Sequence, residues 1–180
     1  MKRITKWAEQ EYGLTQRILA TLLAGVLFVF LIPYVLYQVG PIIDQRLGLP
    51  SIAFGLPNVI LGIILIPFGL IYALWSIVAQ LLFARGTPLP MMATKNLLIS
   101  GPFGQCRNPM SFGTILLYLG ISFLIGSVSA VGMVFLFFIA LLAYIKKIEE
   151  RELEIRFGEE YLVYKRETPF IIPRIFPRKS

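Results

Sequence analysis

The stretch from Met110 to Ile145, MSFGTILLYLGISFLIGSVSAVGMVFLFFIALLAYI, decides the class of fold. It carries no acidic or basic residue over about 36 positions, which is too long for one ordinary membrane helix of roughly 20 residues. Gly126 and Ser127 interrupt it, so we predict a tight hairpin of two membrane helices. The first arm, ending at Ile125, would rise only about 24 Å, which is short of the roughly 30 Å hydrocarbon core.

Two further apolar runs precede this hairpin. Residues 18–39 and residues 57–83 each have the length and composition of a membrane-spanning helix. Residues 40–56, with Pro41 and Asp44 among them, predict a short exposed loop. Residues 1–17 mix charged and aromatic side chains and predict a helix in the membrane interface. We therefore divide the chain into an N-terminal part, 1–83, and a core, 84–180.

The composition agrees with an all-α, polytopic membrane protein. The 180 residues are 57% hydrophobic and 15% charged, a balance that a soluble domain of this size cannot bury in one core. The chain has one cysteine and no histidine, so we predict no disulfide framework and no metal site, and the usual general base is missing. The basic residues flank apolar runs, which argues against a nucleic-acid partner.

The distribution of basic residues predicts the topology. Four Lys or Arg precede the first span, three lie in residues 84–107 and nine follow the hairpin, which together are sixteen of the seventeen. Arg46 is the exception. Because cytoplasmic loops carry the excess of Lys and Arg, this partition predicts four spans with both termini in the cytoplasm. A bacterial cytoplasmic membrane or the endoplasmic reticulum would fit.

Two polar segments flank the hairpin, and a hairpin brings its two ends together. The first is the entry Gly101-Pro102-Phe103-Gly104-Gln105-Cys106-Arg107-Asn108-Pro109-Met110. The second runs from Glu149-Glu150 through Arg156-Phe157-Gly158-Glu159-Glu160-Tyr161 to Tyr164. The second predicts a helix that continues out of the membrane, with Gly158 as its C-cap. Arg107 and Glu150 are therefore predicted to meet in one site.

These residues carry a family resemblance. The order G-P-aromatic-x-x-x-R-N-P, then an uncharged hairpin, then E-E-x-x-L-x-x-x-F-G-x-x-Y-x-x-Y and a proline-rich end is similar to the isoprenylcysteine carboxyl methyltransferase and phospholipid methyltransferase superfamily. The resemblance covers about residues 86–173. It implies a membrane methyltransferase that binds S-adenosylmethionine at the cytoplasmic ends of its last helices and takes a lipophilic acceptor from the bilayer.

The resemblance also implies the site residues. We assign the cofactor to a set of polar, aromatic and turn residues from both segments: Arg107, Asn108, Pro109, Glu149, Glu150, Phe157, Tyr161 and Tyr164. Arg107, Asn108 and Arg151 are assigned to catalysis. By its charge, Arg151 or Arg174 would hold an acceptor carboxylate, with contact to a lipid headgroup as the alternative role of either residue. Gly113 and Gly120 on the first arm permit a close approach of another helix or of a ligand.

The chain departs from the family pattern at one informative position. Asn108 stands where the family most often has histidine, and an amide cannot serve as a base. A carboxylate acceptor is already nucleophilic, whereas a phospholipid amine must first lose a proton. We therefore favour O-methylation of a lipophilic carboxylate, such as a prenylcysteine-like group. Phospholipid N-methylation and a non-enzymatic membrane scaffold or transport accessory are the alternatives.

Overall fold

The computed structural model of the protein describes residues 13–52, 55–84, 87 and 94–174. Within these ranges the fold is all-helical, as predicted, and contains no β-strand. The predicted interfacial helix, 1–17, lies mainly outside the described residues, and the described helices begin at Leu14.

The helices follow one another with few interruptions. The first three elements stack end to end: α1 (Leu14–Val26), a π-helical turn (Leu27–Leu31) and α2 (Ile32–Leu47). Next come α3 (Leu56–Leu82), the short α4 (Pro102–Gln105), and the hairpin arms α5 (Pro109–Ile125) and α6 (Val128–Tyr144). A second π-helical turn (Ile145–Glu149) joins α6 to α7 (Glu150–Phe157), which is followed by α8 (Glu159–Glu167).

Within the described residues, three helical stretches are long and apolar enough to cross a membrane. They are Leu14–Leu47 with 34 residues, Leu56–Leu82 with 27 and Val128–Phe157 with 30. The arm α5 is also apolar but has only 17 residues, a length of about 26 Å. The chain is therefore an integral membrane protein by composition and helix length, while a count of four spans stays a prediction.

The predicted loop at residues 40–56 was wrong in its first half. The helix continues to Leu47 and ends at Gly48, whose φ of 63° is left-handed. Gly40 is a packing residue rather than a breaker, because a Cβ there would lie 2.8 Å from the Cβ of Ala130. The side chain of Asp44 accepts a hydrogen bond from the backbone N–H of Ser129 at 2.8 Å, so it stabilises the start of α6. Tertiary contacts thus explain two residues that composition alone assigned to a turn.

The turn of the hairpin lies where the sequence predicted it. Gly126, with a φ of 73°, ends α5, and the Ser127 hydroxyl accepts the N–H of Ala130 at 3.0 Å to begin α6. The N–H of Ile52 donates to the carbonyl of Gly126 at 2.8 Å, which ties the loop after α2 to this turn. Together with Asp44, these bonds place the end of α2 beside the hairpin turn.

Glycines allow α3 and α5 to pack at backbone distance. A Cβ built on Gly113 would lie 2.6 Å from the carbonyl oxygen of Gly69 and 2.6 Å from the backbone nitrogen of Ala73. Further along the pair, a Cβ on Gly120 would lie 2.9 Å from a side-chain carbon of Ile66. Such contacts between small residues are the usual way that membrane helices associate closely. The predicted close approach at Gly113 and Gly120 is therefore to another helix.

The N-terminal helix is held to the hairpin through the first π-helical turn. The hydroxyl of Tyr118, which is only 1% exposed, donates to the carbonyl of Phe28 at 2.7 Å. A π-helical turn interrupts the regular ladder of the helix, and such turns occur often at functional sites. Next to Tyr118, an apolar cluster of Leu36, Ile115, Leu117 and Val134 forms the core of the protein.

Candidate functional site

The structure brings the two polar segments into direct contact. A guanidinium nitrogen of Arg107, Nη2, lies 2.8 Å from Oε1 of Glu150, and these side chains are 11% and 2% exposed. The other oxygen of Glu150 lies 2.8 Å from Nζ of Lys165, which also contacts Glu154 at 2.8 Å. Hydrogen bonds raise the pKa of Lys165; the one to Glu150 has the larger effect and the one to Glu154 the smaller. The buried carboxylate of Glu150 is therefore neutralised by two cations.

Arg107 also holds the segment after α8. The Nη1 of its side chain donates to the carbonyl of Thr168 at 3.0 Å and to the carbonyl of Lys165. The backbone N–H of Arg107 donates to the carbonyl of Pro169 at 2.8 Å. The guanidinium lies 5.5 Å from the centre of the Phe170 ring. Most of its donors are thus used within the protein. Its Nε is buried and has no hydrogen-bond partner among the described residues.

Asn108 and Pro109 start the hairpin. The amide nitrogen of Asn108 donates to the carbonyl of Phe170 at 2.9 Å, and Pro109 occupies the first turn of α5, where its missing N–H costs nothing. Arg107 and Asn108 therefore bind the same extended segment, residues 168–170, from two adjacent positions. This geometry gives Asn108 a positioning role toward the C-terminal segment.

Tyr161 and Tyr164 close the site from α8. The hydroxyl of Tyr164 donates to the carbonyl of Phe103 at 2.7 Å, and the two tyrosine rings lie 6.1 Å apart. Burial raises the pKa of both phenols, so they stay neutral at physiological pH. Cys106, between these groups, is fully buried, and burial raises the pKa of its thiol to about 11.

A cavity of about 400 Å³ runs from these residues into the helical bundle. One end, which we call the charged end, is lined by Arg107, Glu149, Glu150, Glu152 and Arg156. The remainder is lined mainly by apolar side chains from α1, the first π-helical turn, α3, α5 and α6, among them Phe28, Leu70, Leu74, Leu117, Phe137 and Leu141. Both π-helical turns contribute, since Phe28 belongs to one and Glu149 to the other.

Most of the predicted site residues line this cavity. They are Arg107, Asn108, Pro109, Glu149, Glu150, Tyr161 and Tyr164. Phe157 is not among the lining residues, and its ring contacts the guanidinium of Arg156 at 5.0 Å. Arg151 also lies outside the cavity, in a separate surface groove. The hairpin therefore assembles seven of the nine assigned residues around one space.

Sequence reasoning missed Glu152 and Arg156 at the charged end. Arg156 lies 3.5 Å from Glu152, and its other terminal nitrogen donates to the carbonyl of Thr94. Ile145, Glu149, Glu152 and Arg156 are spaced as one face of a helix, but the other faces of this segment are also charged, so the spacing alone does not identify them. Glu149 differs from its neighbours because its carboxylate forms no ion pair within the part of the chain that the structure describes.

Fold and site together define an integral membrane protein with an internal space that is charged at one end and apolar along the rest, a form suited to an amphiphilic ligand. The sequence profile of the phospholipid methyltransferase family matches residues 57–160, from the start of α3 into α8. The chain belongs to this family, and with it to the membrane methyltransferase superfamily that includes isoprenylcysteine carboxyl methyltransferases. No curated protein and no solved structure matches the chain.

Proposed function

We propose that the protein is an S-adenosylmethionine-dependent membrane methyltransferase with a lipophilic acceptor. One observation carries this proposal: a single cavity joins the charged end to an apolar space between membrane helices. A small polar cofactor fits the first part and a lipid tail fits the second. Membership of a methyltransferase family supports the transfer of a methyl group and disfavours the scaffold alternative.

The charged end has groups that fit the amino-acid part of the cofactor. The buried Nε of Arg107 has no hydrogen-bond partner among the described residues and can donate to a carboxylate. Glu152, which lies 3.5 Å from Arg156, can accept from an ammonium group. Tyr161 and Phe103 line the same space and offer aromatic surface to an adenine. When bound, S-adenosylmethionine supplies an electrophilic methyl group on a sulfonium.

For the acceptor, the charges of the site favour an amine over a carboxylate. Within the described residues, both cations that line the cavity already contact a carboxylate, Arg107 that of Glu150 and Arg156 that of Glu152. The remaining donor of Arg107, its Nε, is assigned to the carboxylate of the cofactor, so an anionic acceptor has no cation of its own there. Arg151, assigned to that task from the sequence, lies outside the cavity. An ammonium group is instead attracted by the carboxylate of Glu149, which forms no ion pair within the described part of the chain. We therefore favour a phospholipid amine, in agreement with the description of the family.

In the absence of histidine, a glutamate such as Glu149, Glu150 or Glu167 is the available base, and Glu149 is the one that lines the cavity without an ion pair among the described residues. An oxygen of its carboxylate would accept a proton from the acceptor ammonium, which leaves a neutral amine with a free electron pair. Proton transfer from the ammonium to the carboxylate is more favourable in the cavity than in bulk solvent, because removal from water disfavours the charged forms of both groups. Positioning of the amine and exclusion of water would supply the remainder of the catalysis.

Two acceptors incubated separately with labelled cofactor test this proposal. We expect phosphatidylethanolamine liposomes to give a stable N-methyl product, and a farnesylcysteine analogue to give little base-labile methyl ester. Ester without N-methyl product would return the assignment to a carboxylate acceptor. Transfer to neither, by protein that binds the cofactor, would place the acceptor in another lipophilic class.

We also propose the topology that the basic residues predict, with four spans, cytoplasmic termini and a cytoplasmic C-terminal helix. The end of α2, which carries Arg46, lies beside the hairpin turn, whereas Arg107 and Glu150 lie at the other ends of the hairpin arms. Maleimide labelling in a Cys106→Ser background can test it. We expect Arg46→Cys to react from outside and Lys95→Cys only after permeabilisation, and the reverse result would invert the topology.

A further inference from the structure

The helix that leaves the hairpin has a second, outward face. Glu149, Glu152 and Arg156 face the cavity, whereas Lys147, Ile148, Arg151 and Ile155 are exposed. The two isoleucines are 45% and 63% exposed, although they lie beyond the uncharged part of the span. An exposed face on which apolar and cationic side chains alternate is typical of helices at a membrane interface.

The cations on this face line a groove of about 340 Å³. Its walls are Lys146, Lys147, Arg151 and Glu154, and we call it the outer groove. Glu154 is already bound by Lys165 at 2.8 Å, so it offsets little of the positive charge. Lys147 and Arg151 form no ion pair within the described residues, and Lys146 lies 5.8 Å from the centre of the Phe170 ring. Among the described residues, the outer groove thus has three cations, and the one carboxylate in its walls, that of Glu154, is already paired with Lys165.

The position of the outer groove identifies the source of the anion. Lys146 and Lys147 follow directly on the apolar residues 128–145, so they lie at the depth where a membrane span ends and lipid phosphates begin. Ile148 and Ile155 beside them can contact the upper acyl chains, while the ammonium and guanidinium groups reach the phosphate. A soluble anion would use the charges but not the apolar flank.

We propose that the outer groove binds the headgroup of an anionic phospholipid, at a site separate from the catalytic cavity. Arg151 lines the outer groove and not the cavity, so a lipid held there is a neighbour of the enzyme and not its methyl acceptor. Because each basic residue near a charged membrane surface contributes about fivefold in affinity, a loss of two should reduce binding by at least that factor.

The experiment uses the full chain in phosphatidylcholine nanodiscs that contain spin-labelled phosphatidylglycerol or spin-labelled phosphatidylcholine. We expect the wild type to immobilise the anionic label preferentially, and Lys147→Gln with Arg151→Gln to lower that preference at least about fivefold. The matched control is Arg46→Gln with Arg166→Gln, which removes the same charge elsewhere. Arg46 lies at the end of α2, and Arg166 is 65% exposed and bound to Glu159.

The outcomes separate the possible sources of the anion. Unchanged preference in the groove variant, or an equal loss in the control variant, would overturn the proposal. The proposal would also be overturned if inorganic phosphate, added at constant ionic strength, abolished the preference of the wild type for the anionic lipid. The groove would then be a site for a free anion. No cofactor or acceptor is present, so the result is independent of the proposed methyl transfer.

Discussion

The two arms of the hairpin have the same length and a similar apolar composition, yet they face different surroundings. Of the 17 residues of α5, eight are buried, half of them serine or glycine: Ser111, Gly113, Gly120 and Ser122. Of the 17 residues of α6, only Ala130 and Val134 are buried. Its bulky side chains are exposed, with Leu136 at 69% and Ile139 at 63%.

This difference shows that small and weakly polar residues, rather than hydrophobicity, indicate which membrane helix is surrounded by protein. The inner arm α5 packs on α3 and begins at Pro109, directly after Arg107 and Asn108. The outer arm α6 is the one that continues beyond the apolar stretch into Glu149 and Glu150. The Arg107–Glu150 pair then joins the start of the inner arm to the end of the outer one.

The largest expected effect comes from cutting this junction between the arms. Arg107→Ala leaves the buried Glu150 with only Lys165, and it frees the carbonyl of Thr168. Breaking a buried ion pair is strongly destabilising, so we expect a loss of about 3 kcal/mol in the free energy of unfolding in detergent. The control Arg166→Ala removes an exposed pair and should cost about 0 to 1 kcal/mol. Equal losses would show that the junction does not hold the arms together.

A second expected effect concerns the extension of the outer arm. Glu149→Gln should lower the rate of N-methylation at least about 100-fold, because it removes the proposed proton acceptor. The affinity for S-adenosylmethionine, measured by calorimetry, should change less than about threefold. Glu160→Gln, on the exposed surface of α8, is the control and should change neither quantity. A large loss of cofactor affinity would instead return Glu149 to the cofactor-binding role that the sequence suggested.

Matched glycine substitutions test the arms directly. Gly113→Leu on the inner arm would overlap the backbone of α3 and should destabilise the protein by about 2 kcal/mol. Gly132→Leu on the outer arm has no neighbouring atom within 4 Å of its Cβ position, so it should be neutral or slightly stabilising. Thermal unfolding of the two variants in the same detergent makes the comparison. Equal destabilisation would mean that both arms are enclosed by protein.

The smallest expected effect is the slow reaction of Cys106. Because burial raises the pKa of its thiol to about 11, little thiolate forms at pH 8, and a maleimide should label it much more slowly than an exposed Glu160→Cys in a Cys106→Ser background. Denaturant should bring the two rates together. Rapid labelling of Cys106 in the folded protein would show that the entry to the inner arm opens to solvent.

The sequence predicted the fold well where a single residue determines the local structure. Gly126, Ser127 and Gly158 end or begin helices because of their own backbone and side-chain properties, and they do so in the structure. Arg107 and Glu150 were predicted to meet because a hairpin must bring its ends together, and they form an ion pair. These predictions needed only local chemistry and chain connectivity.

The remaining features depend on packing and could not be derived from the sequence. The segment KKIEERELEIR, 146–156, has charges on all sides of a helix, so its composition does not distinguish Arg151 from Arg156. The π-helical turn at Ile145–Glu149 also shifts the phase with which the later residues face the cavity. Gly40 and Asp44 suggested a loop because the partners that keep them helical, Ala130 and Ser129, lie more than 80 positions further along the chain.

The contacts of Arg107 have a consequence for biosynthesis. Its carbonyl partners at Lys165, Thr168 and Pro169 are translated after every apolar helix, so the membrane helices can be inserted before these bonds exist. During that interval the guanidinium remains hydrated at the membrane surface, which spares the nascent chain a buried, unpaired charge. The charged end would then close as a late step of maturation, and the enzyme would become competent only after its helices are in the bilayer.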